Sequence, residues 1–165
     1  MILDAAYRMS DRQDLAAGAT TFPATAITGQ LSTNYADIAD INWSGPAQYL
    51  HFKVDEAVSH DLTVSLAAWP DGFAPADALV VANVHRFLLT LTLVQALGHL
   101  DAGASHFLPL PGAVSAQVVP QLALKIRYLN VFILHSLSLT TGAISINLTE
   151  ANAVQPKAFP ALNLS

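Results

Sequence analysis

The stretch QYLHFKVDEAVS, residues 48–59, decides the fold because its apolar and polar side chains alternate. The apolar positions are Leu50, Phe52 and Val54. The polar positions are Tyr49, His51, Lys53 and Asp55. Successive residues of a β-strand point to opposite faces, whereas a helix would spread these apolar residues around much of its circumference. The pattern therefore predicts a half-buried strand whose outward face carries Tyr49, His51 and Lys53.

Short segments of the same kind recur along the chain between turn signals, and long helical periodicity is scarce. They are DLTVSLAAW (61–69), RFLLTLTLVQA (86–96), LALKIRYLNVFIL (122–134) and GAISINLTE (142–150). Residues 76–97 are also rich in Ala and Leu, so a helix there is an open alternative. Pro109 and Pro111 indicate an edge strand, because proline cannot donate to a sheet. The sequence predicts an all-β fold, a jelly-roll-like antiparallel β-sandwich.

The domain organisation follows from where periodicity is lost. No internal repeat and no linker divides the chain, so one sandwich domain is expected over residues 25–150. An N-terminal arm (1–24) precedes it. The last residues, 151–165, contain two prolines and no period, which predicts an extended C-terminal tail that needs a partner surface to be ordered.

Composition indicates protein partners. Of the 165 residues, 53% are hydrophobic and only 12% are charged, where about 25% is typical of soluble domains. The net charge is −5 and the basic residues are scattered, which argues against nucleic acid. The most apolar run (118–139) contains Pro120, Lys125 and Arg127, so no membrane-spanning helix is expected. The apolar surplus predicts a homo-oligomer or docking on a larger surface.

Motifs for catalysis and cofactors are weak. The chain has no cysteine, which excludes thiol nucleophiles and thiolate metal sites. It also lacks a G-x-S-x-G turn, a phosphate loop and the H-x-H pair of cupins. His99, Asp101 and His106 share one loop, but the sequence cannot say which of them meet. Asp55, Glu56, Asp61 and Asp101 are candidates for a glycosidase pair by residue type only. The prediction is no catalytic residue, no cofactor and no metal.

Aromatic residues and one further histidine have structural interpretations. Trp43, Tyr49 and Trp69 could stack on sugars, so a carbohydrate-binding module stays an alternative, followed by a cupin-like metal-dependent enzyme. Trp69 precedes Pro70 and is expected to cap the core at a turn. His135 is expected near a strand end with a hydrogen bond to backbone.

Four pieces of the chain, in order, resemble one family. The first is MILDAAYRMSDRQDL (1–15), which offers Met1, Ile2, Asp4, Ser10, Asp11 and Gln13. The others are GPAQYLHFKVDEAVSHDLTVSLA (45–67), LDAGASHFLPLP (100–111) and IRYLNVFILHSLSLTTGAISINLTE (126–150). Together they are similar to the capsid cement, or decoration, proteins of tailed phages of the type first described in a Bordetella phage. Residues 30–45 and 74–97 look longer than the family pattern, and the tail after Glu150 is extra.

The resemblance implies a structural virion protein without catalysis. It would assemble in the host cytoplasm and sit on the outer surface of an HK97-type capsid. There it would bridge major capsid protein subunits as a homodimer or homotrimer. The residues expected to contact partners lie in the arm, on the outward face of the first strand and in the tail: Ile2, Tyr7, Gln13, Tyr49, His51, Lys53, Val154, Phe159, Leu162 and Leu164.

Overall fold

The computed structural model describes residues 8–17, 20–22, 27–37, 48–72, 86–110, 118–119, 124–135 and 137–150. These residues form eleven strands and one short 3-10 helix, Gln95–Leu97. The strands are β1 (Arg8–Asp14), β2 (Thr20–Phe22), β3 (Ile27–Leu31), β4 (Ala36–Asp37), β5 (Gln48–Glu56), β6 (Leu62–Pro70), β7 (Arg86–Leu93), β8 (Ser105–Pro109), β9 (Val118–Val119), β10 (Leu124–His135) and β11 (Ala143–Glu150).

The strands make two antiparallel sheets that pack face to face, which confirms the predicted β-sandwich. Sheet A has the order β1-β11-β5-β8. Sheet B has the order β2-β3-β10-β6-β7, and β4 and β9 pair with further parts of β10. The alternative of a helix before residue 97 is wrong for the described part, because Arg86–Leu93 pairs with β6 along its length. β8, which ends at Pro109, is an edge strand as predicted.

Alternation along the central strands builds the core between the sheets. In sheet A, Phe52 pairs with Ile146 and Leu50 with Leu148, and all four side chains are fully or almost fully buried. In sheet B the inward residues are Val64, Leu66, Leu129, Val131 and Ile133, each 0% exposed. Burial of such aliphatic side chains removes apolar surface from water and supplies the main driving force of folding.

Sheet B carries a second apolar cluster on its other face. Trp69, Ala67 and Phe132 form it, and Leu31, Tyr128 and Leu134 pack against it. Trp69 is 0% exposed although its strand neighbour Ala68 points into the main core. The expectation that Trp69 caps the core at a turn is therefore wrong. Trp69 is a residue of strand β6, and the centroid of its ring lies 6.2 Å from the centroid of the Phe132 ring.

Two stretches of the predicted N-terminal arm are strands of the sandwich. β1 pairs with β11 at the edge of sheet A, and β2 pairs with β3 at the edge of sheet B. The boundary predicted at residue 25 therefore falls inside the sandwich. Within β1 the register shifts around Arg12, which has a φ of 47°. Such a bulge bends the strand and re-aims the side chains that follow it.

Gln13, which follows this bulge, bridges the two sheets. Its side-chain amide donates to the Leu31 carbonyl and to Gln30 Oε1 of β3, both at 2.8 Å. Its Oε1 accepts from the Ser10 hydroxyl at 2.6 Å. The sequence assigned Gln13 to a partner contact, whereas the structure gives its amide intramolecular partners. This polar group stabilises the edge where β1 and β3 approach each other.

Candidate contact surface

Three loops meet at one end of the sandwich, namely residues 57–61, 94–104 and 137–142. The Val58 amide donates to the Leu100 carbonyl at 3.0 Å, and the Ser59 amide donates to the Thr141 carbonyl at 3.2 Å. These bonds tie the first loop to each of the others. We call this surface the loop end. Its backbone is held in place before any partner arrives.

Gly142 shows how closely these loops pack. A Cβ atom at this position would lie 3.0 Å from a side-chain methyl of Val58 and 3.2 Å from its Cα. The φ of Gly142 is 143°, a backbone conformation that disfavours other residues. The third loop therefore needs glycine to sit against the first.

Two leucines project from the loop end into solvent. Leu97 is 68% exposed and Leu137 is 58% exposed. A cavity of about 220 Å³ lies beside them, lined by Ser59, His60, Asp61, Val94, Gln95, Ala96 and Leu137. Leu97 directly follows one of its lining residues. Large apolar side chains held open on a fixed backbone are typical of contact sites.

The charge of the loop end has one sign. Its three loops contain Asp61 and Asp101 and neither lysine nor arginine. Asp61 Oδ1 accepts a hydrogen bond from the backbone amide of Gln95 at 2.8 Å, which fixes the start of the 3-10 helix. Both aspartates are exposed. The loop end thus offers apolar area beside negative charge, which suits a partner that presents apolar and basic groups.

Strand β5 carries Tyr49, His51 and Lys53 on the face of sheet A that points away from the core, as predicted. The three residues differ in exposure. Lys53 is exposed and Tyr49 is half-buried. His51 is only 8% exposed, because its ring stacks on Phe107 of β8 with centroids 4.4 Å apart and 4° between the planes. The prediction that His51 is exposed for a partner is therefore wrong. A neighbouring strand covers it, and the sequence does not reveal which strand lies beside β5.

Asp55 forms the polar centre of this face. Its side chain is 4% exposed, and Lys53 Nζ lies 3.0 Å from its Oδ1. The Ser145 hydroxyl also donates to it. Burial alone would raise the pKa of Asp55, but the bonds from Ser145 and Lys53, with the charges of Lys53 and Arg12, outweigh it and lower the pKa. The carboxylate is thereby held ionised as a structural group.

Three further histidines of the described residues, His99, His106 and His135, have structural partners. His106 Nε2 lies 2.7 Å from the His99 carbonyl, and the two rings are 5.9 Å apart. The Val94 amide donates to His99 Nδ1 at 3.2 Å. The structure therefore brings His99 and His106 together. His135 ends β10 and bonds through Nδ1 to the Leu137 carbonyl at 2.7 Å, which confirms its predicted role.

The remaining expectations divide by location. Ile2, Tyr7, Val154, Phe159, Leu162 and Leu164 lie outside the described residues, as does Trp43. Trp69 is fully buried, so it is not available to stack on a sugar. Within the described ranges, no three His, Asp or Glu side chains are close enough together to hold a metal ion. No helix of that same part is long and apolar enough to cross a membrane.

Sequence reasoning missed Leu97 and Leu137. Each leucine stands in a turn-like context, before Gly98 and beside Ser138 respectively. A leucine among turn residues is a usable signal, because loops normally carry polar side chains. Whether such a leucine is exposed depends on loop packing, which the sequence does not give.

Comparison with known proteins found no family model that matches this chain and no curated protein with significant similarity. The resemblance to phage cement proteins stays a prediction.

Proposed function

We propose that this chain is a structural virion protein that decorates and cements the outside of an HK97-type phage capsid. In this proposal it is a homo-oligomer that bridges major capsid protein subunits and performs no catalysis. The observation that carries the proposal is the loop end, where Leu97 and Leu137 stand exposed on a hydrogen-bonded backbone. The sequence resemblance supplies the kind of partner.

Composition supports the same proposal. Charged residues make up 12% of the chain, so much of its surface is apolar or weakly polar. Neighbouring subunits in a shell would cover such surface and gain the free energy of its burial. A protein that binds only the assembled shell stabilises that shell by mass action. Tight attachment and resistance to disassembly then have one physical cause.

The polar groups of the described residues also suit a structural role. Asp55 bonds Ser145 and Lys53, and Asp61 bonds the Gln95 amide. Arg127 contacts Asp37 at 3.1 Å and Asp71 at 2.8 Å. Each of these charged groups connects separate strands or loops. They stabilise the sandwich that presents the loop end.

The test is decoration of expanded, empty shells of a tailed phage by the purified full-length chain. Cosedimentation measures binding, and particle imaging locates the added density. We expect saturable binding on the outer surface and greater resistance of decorated shells to heat. Wild-type protein that leaves shells of the phage encoding this chain undecorated would contradict the proposal.

A paired set of variants tests the contact itself. Leu97→Ser with Leu137→Ser is expected to weaken binding about tenfold or more, since two exposed anchors lose their apolar burial on the shell. Leu97→Met with Leu137→Met is the matched control, because it keeps apolar side chains of similar volume. Both proteins should melt within a few degrees of the wild type.

A further inference from the structure

A groove runs between the two sheets along one side of the sandwich. Its volume is about 400 Å³, and its lining comes from the end of β7, from β8 and from one loop residue. The lining residues are Leu91, Thr92, Leu93, His99, Ser105, His106, Phe107 and Leu108. It shares no lining residue with the cavity beside Leu137, although different residues of loop 94–104 line each of them.

The lining pattern shows that the groove follows strand edges. Side chains of a strand alternate between its faces, so a cavity against one face touches every second residue. This groove instead touches three consecutive residues of β7 and four consecutive residues of β8. β7 ends the order of sheet B and β8 ends the order of sheet A. In the described part of the chain, each therefore has a sheet neighbour on one side only.

An exposed edge strand is a template for another strand. Its outward amide and carbonyl groups need hydrogen-bond partners, and a strand from another chain supplies them. Proteins commonly block such edges with charged side chains or proline. From Phe87 to Leu93, strand β7 has neither charge nor proline. Strand β8 ends in Pro109, which cannot donate. β7 is therefore the better template.

The chemistry of the lining defines the occupant. None of the eight lining residues is Asp, Glu, Lys or Arg. A charged side chain placed in the groove would lose hydration without gaining an opposite charge. Leu91, Phe107 and Leu108 offer apolar area on both walls. An extended segment with alternating apolar and uncharged polar residues matches these walls and the backbone edge together.

We propose that the groove binds an extended, uncharged peptide segment of a partner protein, which adds as a strand along the edge of β7 at Leu91–Leu93, where no described strand pairs with it on that side. Under the proposed function, on which the identity of the partner rests, a neighbouring shell subunit supplies the segment. The segment would extend sheet B and rest its apolar side chains against β8. Attachment would then combine main-chain hydrogen bonds in the groove with apolar contacts at the loop end.

A free peptide tests the groove apart from any shell. The probe is acetyl-Ser-Leu-Asn-Leu-Thr-amide, titrated into the full-length protein by calorimetry and by amide NMR. We expect saturable binding with shifts concentrated in β7 and β8. The same peptide methylated on alternate backbone nitrogens should bind at least about tenfold more weakly, because it cannot complete the strand pairing.

Charge placed in the groove gives the matched comparison. Ser105→Lys and Thr92→Lys add a cation at exposed lining positions and should weaken probe binding about tenfold. Ala16→Lys adds the same cation at an exposed position that lies in neither the groove nor the loop end, and it should leave binding unchanged. Thermal melts verify that each variant is folded.

Two results would overturn the inference. One is absence of probe binding to the folded wild-type chain at millimolar concentration. The other is equal binding by the Ser105→Lys and Ala16→Lys variants, which would place the peptide outside the groove. If the wild-type chain decorates shells but does not bind the peptide, the groove proposal fails and the proposed function stands.

Discussion

His51, Asn147 and Thr149 stand on the outward face of sheet A, whereas Trp69 and Phe132 stand on the outward face of sheet B. All five are less than 9% exposed. The first three are polar, and His51 stacks on Phe107. The other two form an apolar cluster with Ala67. Alternation along a strand thus fixes the face on which a residue lies, but the chemistry and cover of that face are set by neighbouring strands.

The largest expected effect comes from removing the apolar cluster of sheet B. Trp69→Ala should lower the free energy of unfolding by about 3–5 kcal/mol, as for large aromatic side chains in a main core. Glu56→Ala at the exposed end of β5 in sheet A should change it by about 0.5 kcal/mol or less. Denaturant titration measures both. A loss below about 1 kcal/mol for Trp69→Ala would contradict the interpretation of this cluster as a second core.

The bridge between the sheets should give the next largest effect. Gln13→Ala removes the bonds to Leu31 and Gln30 and leaves their polar atoms without this partner. We expect a loss of about 1–3 kcal/mol. Gln13→Glu is the sharper control, since it keeps the size but replaces the donating amide by an acceptor. Hydrogen exchange should rise first in β1 and β3, and uniform exchange across both sheets would count against a local bridge.

A smaller and pH-dependent effect is expected at Asp55. Its pKa is lowered from the ordinary value of 3.8, so the folded state binds the proton more weakly than the unfolded state. The stabilisation is present above this ordinary value and is lost as the pH falls through the folded pKa. Asp55→Asn should therefore be less stable than the wild type at neutral pH.

The free energies of unfolding of the wild type and of Asp55→Asn should approach each other in acid. Denaturation at a series of pH values down to about 2 should show the wild type losing stability relative to Asp55→Asn below the ordinary carboxyl pKa. A difference that is independent of pH would mean that Asp55 acts through packing rather than through its charge.

Much of the fold could be predicted because each strand has a recognisable side-chain pattern within its own stretch of sequence. The alternation around Phe52, the threonines of β7 and the proline that ends β8 each depend on near neighbours in the sequence. The cover over His51 and Trp69 depends on which strands pair, and so does the bridge made by Gln13. These features depend on contacts between residues far apart in the sequence, so no local sequence pattern reveals them. The exposed Leu97 and Leu137 depend on how three separate loops meet.

The most direct test of the central claim is shell binding by the wild type, the Leu97→Ser/Leu137→Ser protein and the corresponding methionine control. All three should have the same melting behaviour, because these side chains are 68% and 58% exposed and bury little on folding. We predict that the wild type and the methionine control decorate expanded shells alike, while the serine protein binds about tenfold or more weakly. Equal decoration by the serine protein would contradict the claim that the loop end holds the chain on the capsid.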